Sequence, residues 1–128
     1  MGYFTRIDHW QDVLTFAKNS QVRNRAIVER IQRGVLCHTK IDGSYIIDTE
    51  VTPPAKRLYA STPKAPHLNW PTNMPPSSEL VWVARFADKH SVRSDALYRA
   101  ILFGEIDGWG VSGRVLVKRT DAQAIIGR

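Results

Sequence analysis

Apolar residues recur with helical spacing in the second half of the chain. Four of them follow the i, i+3, i+4, i+7 pattern of an amphipathic helix. This pattern predicts a helix over 79–89. The apolar positions are Leu80, Val83, Ala84 and Ala87.

A second helix is predicted over 94–103, after a short break. Gly104 follows it, and glycine commonly ends a helix at this position. On both sides of Ser112–Gly113 the spacing of apolar residues then changes to the two-residue period that is typical of β-strands. This change predicts a hairpin over 105–117. Residues 121–126 are predicted to form a short closing helix.

The first half of the chain repeats this pattern. Val13–Glu50 aligns with Val83–Thr120 without a gap, and nine of the 38 aligned positions are identical. We call the shift that places Val13 on Val83 the repeat offset. Most shared residues are apolar or glycine, as two copies of one small fold should preserve. We infer an internal duplication.

The duplication predicts the elements of the first copy. Helices are expected over 10–18 and 24–33, followed by a hairpin that turns at Asp42–Gly43. A closing helix would fall on Pro53–Pro54 and is therefore expected to be missing or displaced.

A segment over 51–78 separates the copies and contains all seven prolines. This proline density excludes helix and central strand, so we expect a semi-extended linker with a span of roughly 30 Å. An alternative, favoured by Tyr59, Leu68 and Trp70, is that part of the segment packs on a domain. The predicted organisation is a first domain over 1–50, this linker, and a second domain over 79–128.

The order helix, tight break, helix, glycine and hairpin is typical of a winged helix-turn-helix domain. The second copy resembles the MerR/excisionase-type DNA-binding family in particular. The residues that carry the resemblance are Val92, Leu97–Tyr98–Arg99, Ile101, Gly104, Gly113–Arg114 and Asp121. The resemblance implies an α+β fold with two tandem winged helix-turn-helix modules.

The sequence departs from the family pattern at several positions. Phe103 stands where the family usually has a basic residue, and Glu29 in the first copy stands where Arg99 stands in the second. Arg30 falls at a position that the pattern predicts to be buried. These differences leave open whether both copies contact DNA in the same way.

The charge of the chain is consistent with a nucleic-acid partner. Lys and Arg number 18 against 12 Asp and Glu, which gives a formal net charge of +6 and a pI near 9.8. A balance this basic favours an acidic partner, and double-stranded DNA is the expected one. The resemblance implies a sequence-preferring DNA-binding protein of a mobile genetic element. It would act in recombination directionality, plasmid or phage DNA maintenance, or transcription regulation by repression, with a recombinase or another DNA-processing protein as a further partner.

Residues on the second helix of each copy, in the turn before it and on the hairpin are the candidate DNA contacts. Asn and Gln can contact adenine and Arg can contact guanine, whereas Arg in the turn suits phosphate. The predicted DNA-binding residues are Arg23, Asn24, Arg25, Gln32, Arg33, Lys40, Ser44, Arg93, Ser94, Tyr98, Arg99 and Arg114.

Other function classes have weaker support in the sequence. The four histidines and the single Cys37 show no metal-ligand spacing, and no catalytic motif is present, so we expect no enzyme, no metal and no cofactor. The N-terminus resembles no signal peptide, no apolar run could span a membrane, and the lone cysteine fits a reducing cytoplasm. Two alternatives remain: a packaging or partition factor that marks a DNA site, and a protein-interaction module with degenerate winged helices. Leu102 and Phe103 favour the second, and they could also form an oligomer contact.

Overall fold

The structure, a computed structural model, describes residues 2–51 and 63–128. This part of the chain contains five α-helices and two β-sheets, so the predicted α+β class is confirmed. The α-helices and β-strands in chain order are β1 (Phe4–Arg6), β2 (Trp10–Asp12), α1 (Val13–Ser20), α2 (Asn24–Gln32), β3 (His38–Ile41), β4 (Ser44–Asp48), β5 (Leu80–Trp82), α3 (Val83–Lys89), α4 (Asp95–Leu102), β6 (Gly108–Val111), β7 (Arg114–Lys118) and α5 (Arg119–Ile126), and a 3₁₀ helix (Ser77–Glu79) precedes β5.

The chain divides into two compact units. We call His9–Pro71 the continuous unit, and Met1–Asp8 together with Thr72–Arg128 the split unit. The N-terminal residues therefore belong with the second repeat, whereas the sequence predicted them to belong to the first domain. The chain passes from one unit to the other at two places.

Each unit contains a sheet built around its hairpin. In the continuous unit the strand order is β2-β4-β3, and all neighbours are antiparallel. In the split unit the order is β1-β6-β7-β5, in which β1 is parallel to β6 and the other neighbours are antiparallel.

The duplication extends to the backbone. Trp10 pairs with Asp48 and Leu80 with Lys118, so the two sheets share one register at the repeat offset. Four pairs of residues at this offset have positive φ in both units. They are Gln21 and Ser91, Gly34 and Gly104, Asp42 and Ser112, and Gly43 and Gly113.

The predicted starts of two helices were wrong. Residues 10–12 and 80–82 are strands, and the helices begin at Val13 and Val83. Asp12 ends the first strand because its Oδ1 accepts the backbone N–H of Thr15 at 2.9 Å and caps α1. In β5, three consecutive apolar residues fit a buried strand as well as a helix, so hydrophobic periodicity could not distinguish the two structures.

The remaining helices and both hairpins lie close to the predicted ranges. The closing helix of the second copy is present as α5, which begins at Arg119, slightly before the predicted start. Its counterpart at Pro53–Pro54 lies outside the described residues. No helix in the described ranges is both long and apolar enough to cross a membrane.

Each unit has its own apolar core between the helices and one face of the sheet. The core of the continuous unit consists of Phe16, Ala17, Ile27, Ile31, Leu36 and Ile47. The core of the split unit contains the counterparts of four of these residues, Phe16, Ile27, Leu36 and Ile47, and is extended by α5. Its members are Val81, Val83, Phe86, Leu97, Ala100, Ile106, Val117, Ala122 and Ile125.

Strand β1 adds a fourth strand to the split unit. The N–H of Gly108 donates to the carbonyl of Tyr3 at 2.9 Å, and the N–H of Ile7 donates to Gly110 at 2.8 Å. A side chain at Gly110 would lie 2.9 Å from the Phe4 ring, so this glycine leaves space for β1. The sequence does not predict this strand, because nothing in its three exposed residues indicates a pairing partner near the other end of the chain.

Part of the proline-rich segment packs on the continuous unit, as the second interpretation of the segment predicted. The N–H of Ala65 donates to the carbonyl of Gly34 at 2.8 Å. The ring of Trp70 lies against that of Trp10, with 5.4 Å between centroids. Tyr59, which was also expected to pack, lies outside the described residues.

Candidate nucleic-acid interface

A three-residue turn joins α1 to α2 in the continuous unit. Gln21 adopts a left-handed conformation, and the N–H of Val22 donates to the carbonyl of Ala17 at 3.0 Å. The equivalent bond in the split unit joins Val92 to Ala87 at 2.9 Å. The turn holds α2 with its apolar face in the core, so the opposite face is available to solvent.

The outward face of α2 brings five of the predicted contact residues onto one surface. All five are exposed: Arg23, Asn24, Arg25, Gln32 and Arg33. Arg30 is buried, as the family pattern predicted. The one acidic residue of this helix, Glu29, lies 3.6 Å from Arg25 in an exposed ion pair. Such a pair is worth only about 0.3–0.5 kcal/mol, so a phosphate or a base can displace it.

The N-terminus of α2 leaves backbone donors available. Arg23 stands at the cap position, and its side chain makes no capping hydrogen bond. The first N–H groups of a helix have no acceptor within the helix and carry a partial positive charge. Together with the adjacent guanidinium groups of Arg23 and Arg25, they form an electropositive surface that suits a phosphate.

The hairpin of the continuous unit carries the predicted contacts Lys40 and Ser44 close to its turn. The turn residues Asp42 and Gly43 both have positive φ, which is the two-residue connection that suits twisted strands. The ammonium of Lys40 lies 5.3 Å from the centroid of the Tyr45 ring. Lys40 is exposed and Ser44 is half-buried.

The corresponding hairpin of the split unit carries Arg114, whose guanidinium lies 4.0 Å from the centroid of Trp82. Trp82 is buried, so the half-buried Arg114 covers part of the sheet. A stack of this kind holds the side chain against the protein. Arg114 is therefore less available to a partner than the exposed Lys40.

The predicted contacts at the start of α4 border a shallow cavity of about 370 Å³. Arg93, Arg99 and Arg128 line it, which gives it a positive rim. Arg93 lies 3.7 Å from Asp95, which also lines the cavity, and Arg128 lies 2.9 Å from Glu105. Acidic groups therefore already accompany two of these three cations. Ser94, also a predicted contact, is half-buried at the cap of α4.

The far end of α4 presents an apolar surface. Tyr3, Phe4, Tyr98 and Leu102 line a cavity of about 460 Å³ in the split unit. Leu102 and Phe103 are 79% and 71% exposed. The sequence singled out these last two residues. It missed Tyr3 and Phe4, because only the pairing of β1 with β6 brings them here.

Cys37 and His38 are adjacent in the chain, where β3 begins. Cys37 is buried, and burial followed by the negative charge of Asp48 raises the pKa of its thiol. The Nδ1 atom of His38 lies 2.9 Å from the carbonyl of Leu36. A buried, protonated thiol is a poor nucleophile.

One group of metal-ligating side chains is brought together in the part of the chain that the structure describes. His9, Asp48 and Glu50 each offer a ligand atom within 4.8 Å of the others. This group is not recognisable in the sequence, because a whole repeat separates His9 from the two carboxylates along the chain.

Comparison of the chain with protein-family models, curated proteins and solved structures finds no match. The resemblance to the MerR/excisionase family therefore remains a prediction from the residues.

Proposed function

We propose that this chain is a sequence-preferring double-stranded DNA-binding protein built from two tandem winged helix-turn-helix modules of excisionase type. The continuous unit makes the main base contacts through α2, and its hairpin acts as the wing. The observation that carries the proposal is the outward face of α2, where three arginines and two amide side chains are exposed together.

The chemistry of that face suits the major groove. A helix about 10–12 Å in diameter fits a groove about 12 Å wide. Gln32 and Asn24 offer the paired donor and acceptor that adenine requires, and Arg33 offers the paired donors that guanine requires. Arg23, at the start of the helix, suits a phosphate, which positions the protein without reading sequence.

Charge supports the same assignment. The continuous unit contains nine Lys or Arg residues against five Asp or Glu residues, whereas the split unit has nine against seven. Most of the excess positive charge therefore belongs to the unit whose second helix is polar. By resemblance, the process served would be recombination directionality, plasmid or phage DNA maintenance, or repression.

Salt-dependent binding of the full chain to duplex DNA tests the proposal. Fluorescence anisotropy with a labelled mixed-sequence duplex should give binding at about 50 mM salt, with log K falling linearly against log[salt]. We expect roughly 5–8 phosphate contacts from a slope of about −0.9 per contact. The absence of binding to any duplex at that salt concentration would refute the proposal.

Two substitutions separate base contacts from phosphate contacts. After selection of a preferred site from a random duplex library, Arg33→Ala should weaken binding to that site by about 1–3 kcal/mol and leave random DNA nearly unchanged. Arg23→Ala should weaken both alike. Arg6→Ala removes an exposed charge of β1 and serves as the charge-matched control. An equal loss on both DNAs for Arg33→Ala would exclude base recognition by this residue.

A second candidate function, protein interaction, has support in the split unit. At the repeat offset, Leu102 and Phe103 correspond to Gln32 and Arg33. The same helix end is thus polar in one unit and apolar in the other, where Leu102 lines a cavity together with the exposed rings of Tyr3 and Phe4. An exposed apolar surface of this kind favours a protein contact, including self-association.

Exchange of these residues between the units distinguishes the two functions. The double variant Leu102→Gln/Phe103→Arg should keep or increase DNA affinity, and any self-association detected by sedimentation should disappear. The reverse variant, Gln32→Leu/Arg33→Phe, should lose preference for the selected site. Loss of DNA binding in the first variant, with retention in the second, would assign the DNA interface to the split unit instead.

A further inference from the structure

Three side chains meet where the chain enters and leaves the repeat of the continuous unit. His9 immediately precedes β2, Asp48 ends β4, and Glu50 follows two residues later. The N–H and the hydroxyl of Thr49 donate to the carbonyl of His9 at 2.8 and 2.9 Å. These bonds fix the backbone around the group, and its ligand atoms lie within 4.8 Å of one another.

Asp48 is buried, and within residues 2–51 and 63–128 its carboxylate accepts one backbone hydrogen bond. It is 9% exposed, and its Oδ1 accepts the N–H of Glu50 at 3.0 Å. Within the described ranges, no ion pair reaches Asp48 or Glu50. A bound cation would neutralise the charge of this buried carboxylate and of Glu50 beside it.

The fold itself does not require these residues. At the repeat offset the split unit has Glu79, Lys118 and Thr120, which cannot act together as cation ligands. The two sheets nevertheless share the same register at this end. The imidazole and the two carboxylates are therefore a feature of the continuous unit alone.

We propose that His9, Asp48 and Glu50 bind a divalent ion of the zinc type. One imidazole nitrogen and two carboxylate oxygens are the donor set of a borderline ion such as Zn²⁺ rather than of Mg²⁺, which prefers oxygen alone. Ligand atoms around tetrahedral Zn²⁺ are roughly 3.4 Å apart, so the site closes by small rotations of the more exposed His9 and Glu50. Water completes the coordination.

The bound ion would tie the first residue of the continuous unit to the end of its hairpin. It thereby closes a loop of about forty residues in the native state. The expected consequence is a more stable continuous unit in the presence of the ion, because the unfolded chain lacks the assembled site. The proposal does not depend on DNA binding.

Calorimetric titration of the full-length chain with Zn²⁺, after treatment with a chelator, tests the proposal. We expect a single ion per chain, a rise in Tm on addition of Zn²⁺, and ligand-field absorption bands when Co²⁺ is used instead. Mg²⁺ at the same concentration should bind far more weakly. Equal binding of Mg²⁺ would indicate simple attraction to carboxylates and would overturn the assignment.

Variants locate the ion. His9→Gln and Glu50→Gln should each weaken Zn²⁺ binding by at least about tenfold. Asp48→Asn should do the same, and circular dichroism checks its fold because this side chain is buried. His67→Gln removes an exposed histidine of the same unit, and Cys37→Ala removes the thiol; both should bind Zn²⁺ like the wild type. Loss of binding in either control, or wild-type binding in Glu50→Gln, would refute the site.

Discussion

At the scale of single residues, the two copies stabilise the start of their first helix with different side chains. Asp12 caps α1 with a hydrogen bond to the Thr15 N–H, whereas its counterpart Trp82 makes no side-chain capping bond to α3. Trp82 is instead buried in its sheet and covered by Arg114. One helix start is therefore stabilised by a cap, and the other by packing.

The cap gives a prediction for stability. Asp12→Ala should lower the free energy of unfolding by about 0.5–2 kcal/mol, because a backbone donor of the first turn loses its acceptor. Asp12→Asn keeps an acceptor oxygen at the same place and should change stability by only a few tenths of a kcal/mol, as Asn and Asp are about equal as caps. Urea unfolding measures both variants. Equal losses would show that the charge of Asp12, rather than the cap, stabilises the protein.

At the scale of elements, β1 is the main difference between the two units. It pairs with the outer edge of β6, where Gly110 leaves space for the Phe4 ring and Gly2 lies against the backbone of Ile106. The corresponding edge strand β3 has His38 and Lys40 in place of Gly108 and Gly110. A ring placed like that of Phe4 would meet the Lys40 side chain on β3, whereas Gly110 on β6 leaves space for it.

Docking of β1 gives the second prediction. A Cβ atom at Gly2 would collide with the backbone carbonyl of Ile106, which cannot move aside. Gly2→Ala should therefore lower stability by about 1–3 kcal/mol, as overpacking does. Gly110→Ala should cost less, because the ring that it meets belongs to Phe4, which is half exposed and can rotate.

Urea unfolding and hydrogen exchange of the Gly108 amide report on this docking, since that amide donates to Tyr3. Thr5→Ala, at an exposed position of β1, is the control and should change stability by no more than about 0.5 kcal/mol. If Gly2→Ala behaved like Thr5→Ala, β1 would contribute little to the split unit.

At the scale of the whole molecule, the question is whether both units contact DNA. The chain passes between the units at two places, so the proline-rich segment alone does not set the spacing of two half-sites. Separate halves of the chain are also poor tests. A fragment that begins at Thr72 lacks β1 and leaves the edge of β6 unpaired.

Bivalent binding is therefore tested within the full chain. If α4 also contacts DNA, Arg99→Ala combined with Arg93→Ala should weaken binding by up to about a hundredfold, since the second contact occurs at high effective concentration. The footprint should shrink from about two helical turns to about one. Insertion of about five base pairs between half-sites should have a similar effect. An unchanged affinity and footprint would leave the split unit as an interaction surface.

The sequence by itself determined the local elements. Helical periodicity, the glycines after α2 and α4, and the two-residue turns are properties of neighbouring residues, so α2, α4 and both hairpins lie close to the predicted ranges. Because the two copies align without a gap, each helix or hairpin predicted in one copy predicted its counterpart in the other. The exposure of the predicted residues on α2 also followed from its period, because the apolar positions fix which side faces the core.

Only the tertiary structure decided which distant segments pair. Three residues of β1, β2 or β5 hold too little pattern to identify a strand, and their partners lie in distant parts of the chain. The pairing of β1 with β6 places the N-terminus in the split unit and adds Tyr3 and Phe4 to its apolar surface. The pairing of β2 with β4 brings His9 close to Asp48 and Glu50. Long-range pairing depends on the summed packing of the whole chain, and no local run of residues encodes it.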